Sequence, residues 1–197
     1  MTWGDAVPIT PLHYCIAYTT KKLRKDWSLP ALIVGNFIPD LENPVIFALN
    51  RFGVIHLSAS GWFIDRLVLH SLVGASTIGL ALALLITVYL YPALASTIFK
   101  VDAREECKAS KKLVAPCLVG AISHVLVDTL HHPYNPLLFP FTTSSVDAFI
   151  LFGDAELATV VVHVAFLAWV LAILAYEFKK SGGRGFWEAV LVGEKGA

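Results

Sequence analysis

Charge is what this sequence is short of. Acidic and basic residues together make up 15% of its 197 positions, and they cancel, 15 against 15. Soluble domains run nearer a quarter charged. The balanced charge, with no basic stripe interleaved with aromatics, excludes a nucleic-acid partner. Cysteine is also sparse: Cys15, Cys107 and Cys117 are odd in number and far apart. They form neither a disulfide framework nor a Cys-x-x-Cys zinc ribbon, so a metal in this chain has to be held by histidine and carboxylate. Lysine and arginine are missing before Lys21, and no apolar run there ends in a small-residue cleavage site. The expectation is therefore no cleaved signal peptide, with insertion through the chain's own helices.

What is present is apolar surface. Hydrophobic residues make up 56% of the chain and mean hydropathy is +0.67, a membrane-protein composition. The pattern predicts an all-α fold: a polytopic integral membrane helical bundle of about four to five helices, forming one domain over residues 1–197. Thr10-Pro11 starts a helix that runs to about Lys25. Ser28-Leu29-Pro30 starts another, which Pro39 and Pro44 should break or kink. Residues 50 to 64, with His56, read as a loop or interfacial segment. The run from Leu72 to Phe99 is long enough to cross a hydrocarbon core of about 30 Å, with Pro92 expected to end or bend it. A further span covers Leu113 to about Leu130, and the last covers Leu157 to Tyr176. Positive charge sets the orientation. The 100–112 stretch and the 180–197 tail belong in the cytoplasm, and the 131–156 stretch, which has no Lys or Arg, belongs outside.

The chemistry concentrates between Gly120 and Pro133, where His124, Asp128, His131 and His132 interrupt an apolar helix. His124 and Asp128, four apart, share one helical face, and one of the two later histidines extends that stripe. An imidazole and a carboxylate on one face make half of a metal site for zinc, manganese or iron. An ionisable group in an apolar helix is costly unless it is paired or ligating, and inside a membrane it marks a functional site. Candidates for the other half are His13, near a helix start, Asp40, at the Pro39 kink beside Glu42, and His70, at the head of the longest span. Counting rise from Lys112 puts His124 about 18 Å and Asp128 about 24 Å above the cytoplasmic edge, with His13 about 12 Å above Lys21. The five residues can therefore converge in the middle to outer half of a bundle. His163 reads as a packing histidine and His56 as a surface one.

Five stretches occur in order: Thr10-Pro-Leu-His13, Gly35-Asn-Phe-Ile-Pro-Asp40-Leu41, Arg66-Leu-Val-Leu-His70-Ser71-Leu72, Gly120-Ala-Ile-Ser-His124-Val-Leu-Val-Asp128 and Pro136-Leu-Leu-Phe-Pro140-Phe141. Together they resemble the motifs of the YdjM-like membrane-bound metal-dependent hydrolases. The order of ligand types is similar to that of the bacterial zinc-dependent phospholipase C family, an all-helical fold with a zinc cluster that activates water against a phosphodiester. The resemblance implies that His13, Asp40, His70, His124 and Asp128 are metal ligands, with His132, or His131, as a sixth. Asp65-Arg66 stands where YdjM-like proteins often carry His-Arg.

The expected function is a membrane-bound hydrolase of a phosphoester or lipid-linked substrate, using one or two divalent ions, zinc first and manganese or iron as alternatives. Arg66 would hold a substrate anion, and Asp65 would be a ligand or general base. The expected partners are the lipid bilayer and that substrate. Ser71 and Ser123 read as supporting donors or helix-packing groups. Two other readings use the same residues: a protein that binds or transports a divalent metal, and a structural membrane protein whose histidines only hydrogen-bond between helices.

Overall fold

The computed structural model describes residues 10–55, 58–59, 62–64 and 66–193. A 3₁₀ turn, Thr10–His13, leads into α1, Tyr14–Leu23. Lys21 folds back to give its ammonium to the carbonyls of Lys25 (2.9 Å) and Trp27 (2.8 Å), closing the turn after the helix. Ser28 then caps α2, Leu29–Phe37, its hydroxyl accepting from the Ala31 N–H at 3.3 Å, with Pro30 in the first turn.

The two prolines act differently. Pro39 tightens the chain into a 3₁₀ turn, Pro39–Leu41, before α3, Glu42–Arg51. Pro44 lies in the first turn of α3, where a missing N–H costs little, so it does not break the helix. The whole stretch Leu29–Arg51 is long and apolar enough to cross a membrane. A two-residue antiparallel ladder, β1 (Ser58–Ala59) with β2 (Trp62–Phe63), interrupts the otherwise helical chain.

Ser71 caps α4, Leu72–Phe99, accepting from the Gly74 N–H at 2.9 Å and donating to the Val68 carbonyl at 2.8 Å. The helix contains two π-helical stretches, Ala75–Gly79 and Ile86–Leu90. The second immediately precedes Pro92, whose absent N–H forces the hydrogen-bond pattern to shift. Pro92 is thus absorbed within the span and does not end it. Lys100, at φ 59°, ends it instead. α5, Val114–Asp128, is about 22 Å long at ordinary rise. α6, Ala155–Ser181, is capped by Asp154 and shows Val160, Val164, Leu167 and Leu171 to its surroundings. α7, Phe186–Leu191, is short.

The centre of the bundle is the crossing of α2 and α5. A Cβ on Gly35 would lie 2.3 Å from the Cys117 carbonyl oxygen, and one on Gly120 would lie 2.7 Å from that of Leu32. Only two glycines let these backbones meet, and the close approach sets the relative height of everything farther along either helix. α6 is fastened to α1 by Glu177, which is buried, hydrogen-bonded by the Tyr18 hydroxyl and approached by the Lys22 ammonium at 3.2 Å. Two tyrosines hold the end of α7: Tyr14 donates to the Val190 carbonyl (2.8 Å) and Tyr91 to that of Leu191 (2.6 Å). The Ser28 hydroxyl joins the 100–112 stretch by donating to the Glu106 carbonyl at 2.9 Å. These contacts bring the basic ends of α1, α4 and α6 and the start of α5 to one pole. The ends carrying His13, Asp40, His70 and Asp128 lie toward the other.

Candidate metal centre

Each of four elements delivers one part of a buried cluster. The 3₁₀ turn before α1 supplies His13, the Pro39 turn supplies Asp40, the turn before α4 supplies Arg66 and His70, and the last turns of α5 supply His124 and Asp128. His124 is fully buried and Asp128 is 2% exposed. Donor atoms of Asp40, His70, His124 and Asp128 all lie within 4.8 Å of one another. His124 Nε2 is 3.4 Å from Asp40 Oδ1 and 3.5 Å from Asp128 Oδ2, and His70 Nε2 is 3.6 Å from each of the same two oxygens.

These separations are longer than those of a hydrogen-bonded pairing network. A hydrogen bond would bring nitrogen and oxygen to about 2.9 Å. Two donors each about 2.1 Å from a shared ion, at a tetrahedral angle, stand about 3.4 Å apart. The orphaned atoms agree: His70 Nε2, both His124 nitrogens, Asp40 Oδ2 and Asp128 Oδ1 are buried without a hydrogen-bond partner among the described residues. Buried polar atoms are seldom left so. The residues fit a divalent cation.

The other expected residues fall around this core. His13 Nε2 is 3.5 Å from Asp128 Oδ1, and its ring lies 4.1 Å from that of His124 and edge-on to Phe166 of α6. His132 Nε2 approaches Asp128 Oδ2 at 3.7 Å. His13 and His132 therefore reach the four donors through Asp128. A second buried group of donors consists of Asp128, His131 and His132. Arg66, also buried, sets Nη1 2.8 Å from Asp128 Oδ2, so its guanidinium faces a candidate ligand. Asp65 and His56 lie outside the described residues. His163 donates Nδ1–H to the Thr159 carbonyl at 2.7 Å and stacks on His131 at 5.3 Å, a packing arrangement in agreement with its sequence reading. Ser123 donates within its own helix to Gly120 (2.9 Å) and lies 3.3 Å from Asn36 Oδ1, so it packs α5 on α2.

One residue had no role assigned from the sequence. Glu42 is buried, and its carboxylate accepts the backbone N–H groups of Val68 (2.5 Å), Leu69 (2.9 Å) and His70 (3.3 Å), with His70 Nδ1 at 3.2 Å. The Glu42 carboxylate at Nδ1 directs Nε2 of His70 toward Asp40 and Asp128. This is the carboxylate–histidine support common behind metal-ligating imidazoles. The only sequence signal was a second acid two residues after Asp40. Asn43 adds a longer contact, Nδ2 to Asp40 Oδ1 at 3.5 Å.

Three long apolar helices and a buried His/Asp cluster able to hold a metal ion define a multi-pass membrane protein with a candidate metal centre. The sequence profile described as YdjM inner membrane protein matches residues 10–193, and the chain belongs to that family. No curated protein and no solved structure shows significant similarity to it.

Proposed function

We propose that this protein is a membrane-bound, metal-dependent hydrolase acting on a phosphoester or lipid-linked substrate. The observation that carries the reading is the convergence of Asp40, His70, His124 and Asp128 from three elements, with His70 Nε2 and His124 Nε2, which have no hydrogen-bond partner among the described residues, at the spacing of ligands around one ion. In this reading those four residues hold the cation, zinc first. His13 and His132 flank Asp128 and complete or support the ligand set. A divalent ion there supplies a Lewis acid that lowers the pKa of water and neutralises charge on a phosphoryl or acyl oxygen.

The chain's own residues prepare that chemistry. Glu42 fixes the tautomer and direction of His70, and Arg66 holds one oxygen of Asp128 while presenting positive charge to the same space. A guanidinium so placed favours an anionic substrate group. Asp65, next to Arg66 in the chain, is the proposed base or additional ligand. A site that retains its ion is favoured over one that passes it. Toward the basic pole the bundle axis is closed by buried Ala17, Leu32, Cys117 and the Gly35–Gly120 backbone contact. Positive charge at that pole argues that it faces the cytoplasm, which puts the centre toward the outer leaflet, within reach of lipid headgroups.

The test is metal content and turnover on detergent-purified protein, wild type beside Asp128→Asn. Retained zinc, manganese or iron in wild type, with metal-dependent cleavage of bis(p-nitrophenyl) phosphate or of a phospholipid headgroup, and loss of both in Asp128→Asn, is the expected result. Wild-type protein that holds no metal after chelator-free purification and added metal would refute it.

A further inference from the structure

Among the described residues there are two overlapping groups of candidate ligands, and both use Asp128. The first is Asp40, His70, His124 and Asp128, and the second is Asp128, His131 and His132. The second has features of a site in its own right. His131 is 2% exposed and its Nδ1 has no hydrogen-bond partner among the described residues, while its ring lies 4.2 Å from that of His132. In two-metal sites a carboxylate commonly lies between the two ions. Here the position beside Asp128 already carries a cation. Arg66 Nη1 sits 2.8 Å from Asp128 Oδ2, the oxygen that His132 Nε2 faces at 3.7 Å and that His124 and His70 of the first group face at 3.5 and 3.6 Å.

We infer that Arg66 takes the place of a second metal ion in this centre, fixing it at one divalent cation and leaving Asp128, His131 and His132 as a latent second site. The inference rests on the metal-centre reading above and adds how many ions the site takes and which residue decides it. Burial of charge supports it independently of the geometry. The described buried charges around the cluster are the carboxylates of Asp40, Glu42 and Asp128 and the guanidinium of Arg66, three negative against one positive. One divalent ion makes that set neutral. A second ion would leave two uncompensated positive charges, or one with Asp65 as a ligand, among buried residues, with the new ion directly against a guanidinium, and buried charge is stable only when matched.

The backbone that carries the guanidinium is also held in place. Its turn is tied down two to four residues later, where the Val68, Leu69 and His70 N–H groups all bond Glu42. An arginine is suited to this place because its planar charge stays ionised when buried, where a lysine ammonium readily sheds its proton.

The experiment is zinc stoichiometry by mass spectrometry on detergent-purified protein saturated with zinc and then desalted. Wild type is expected to hold one ion per chain, Arg66→Met two, and Arg66→Met combined with His131→Ala one. Manganese loading gives a second readout: isolated-ion electron paramagnetic resonance in wild type, and spin-coupled signals in Arg66→Met from two ions sharing Asp128. Two zinc ions in wild type, or one in folded Arg66→Met, overturn the assignment. His131→Ala in the wild-type background decides the matter without touching Arg66 or the residues placed around the first ion. Ion content unchanged at one supports the assignment, and loss of an ion overturns it. Failure of the underlying reading looks different, since wild type and Arg66→Met would then both hold no zinc.

Discussion

Substituting Gly35 by alanine should disable the metal centre from a distance. The added methyl would sit 2.3 Å from the Cys117 carbonyl oxygen and 3.1 Å from the Gly120 Cα, backbone atoms that cannot rotate away. Relieving the overlap to ordinary contact requires α2 and α5 to part by about 1 Å at the crossing, and overpacking of this kind costs about 1–3 kcal/mol. Asp40 lies five residues beyond Gly35 and His124 four beyond Gly120, so the two donors inherit the separation. Their present distance of 3.4 Å would grow to about 4.4 Å. Two ligands each about 2.1 Å from one ion cannot be more than about 4.2 Å apart even on opposite sides of it. The expected result is at least a 10- to 100-fold weaker zinc dissociation constant, the range seen when groups that support ligands are lost. The assay is chelator competition on folded protein, with thermal unfolding recorded with and without zinc so that lost stability is not mistaken for a lost site. A folded Gly35→Ala protein with wild-type zinc affinity would refute the claim that the helix crossing sets the donor spacing.

Two other outcomes follow from the same structure. Glu42→Ala leaves three backbone N–H groups and His70 Nδ1 without their acceptor. We expect a loss of about 1–3 kcal/mol in stability and about 10-fold or more in zinc affinity, with Glu42→Gln milder in stability than in affinity. Equal zinc binding in all three proteins would remove Glu42 from the centre. Cys107 lies in the charged stretch between α4 and α5, where burial, helped by the neighbouring Glu106 charge, pushes its thiol up to about 12. At neutral pH it should carry about a thousandfold less thiolate than an ordinary cysteine. With Cys15 and Cys117 replaced by alanine, maleimide should label it only after denaturation. Rapid stoichiometric labelling of the folded protein would show that the 100–112 stretch does not pack as described.

Most of the buried His/Asp cluster was legible in the sequence because its parts are local or costly. His124 and Asp128 share a helical face by periodicity alone, and neither is cheap in an apolar helix unless paired or ligating. Asp40 was marked by Pro39, and His70 by its place at the head of the longest apolar run. The helices followed from apolar runs, from Ser28 with Pro30, and from the basic residues between spans. The two overestimated prolines show the limit of local rules. Pro44 fell in a first turn, where nothing is lost, and Pro92 was absorbed by the π-helical stretch ahead of it. Neither accommodation is written in the neighbouring residues.

Other features depend on how the helices cross, and no spacing rule reaches that far. Sequence alone determined a helical membrane bundle and named the residue types able to hold a metal, because hydrophobic periodicity and the cost of burying charge act residue by residue. Tertiary structure decided which of those residues meet. The Gly35–Gly120 contact fixes the height of Asp40 against His124. Glu42 finds the 68–70 backbone 26 residues or more away in the chain, and Arg66 reaches Asp128 across 62 residues. Those pairings depend on distances of a few tenths of an ångström between elements remote in sequence, which only the packed backbone specifies.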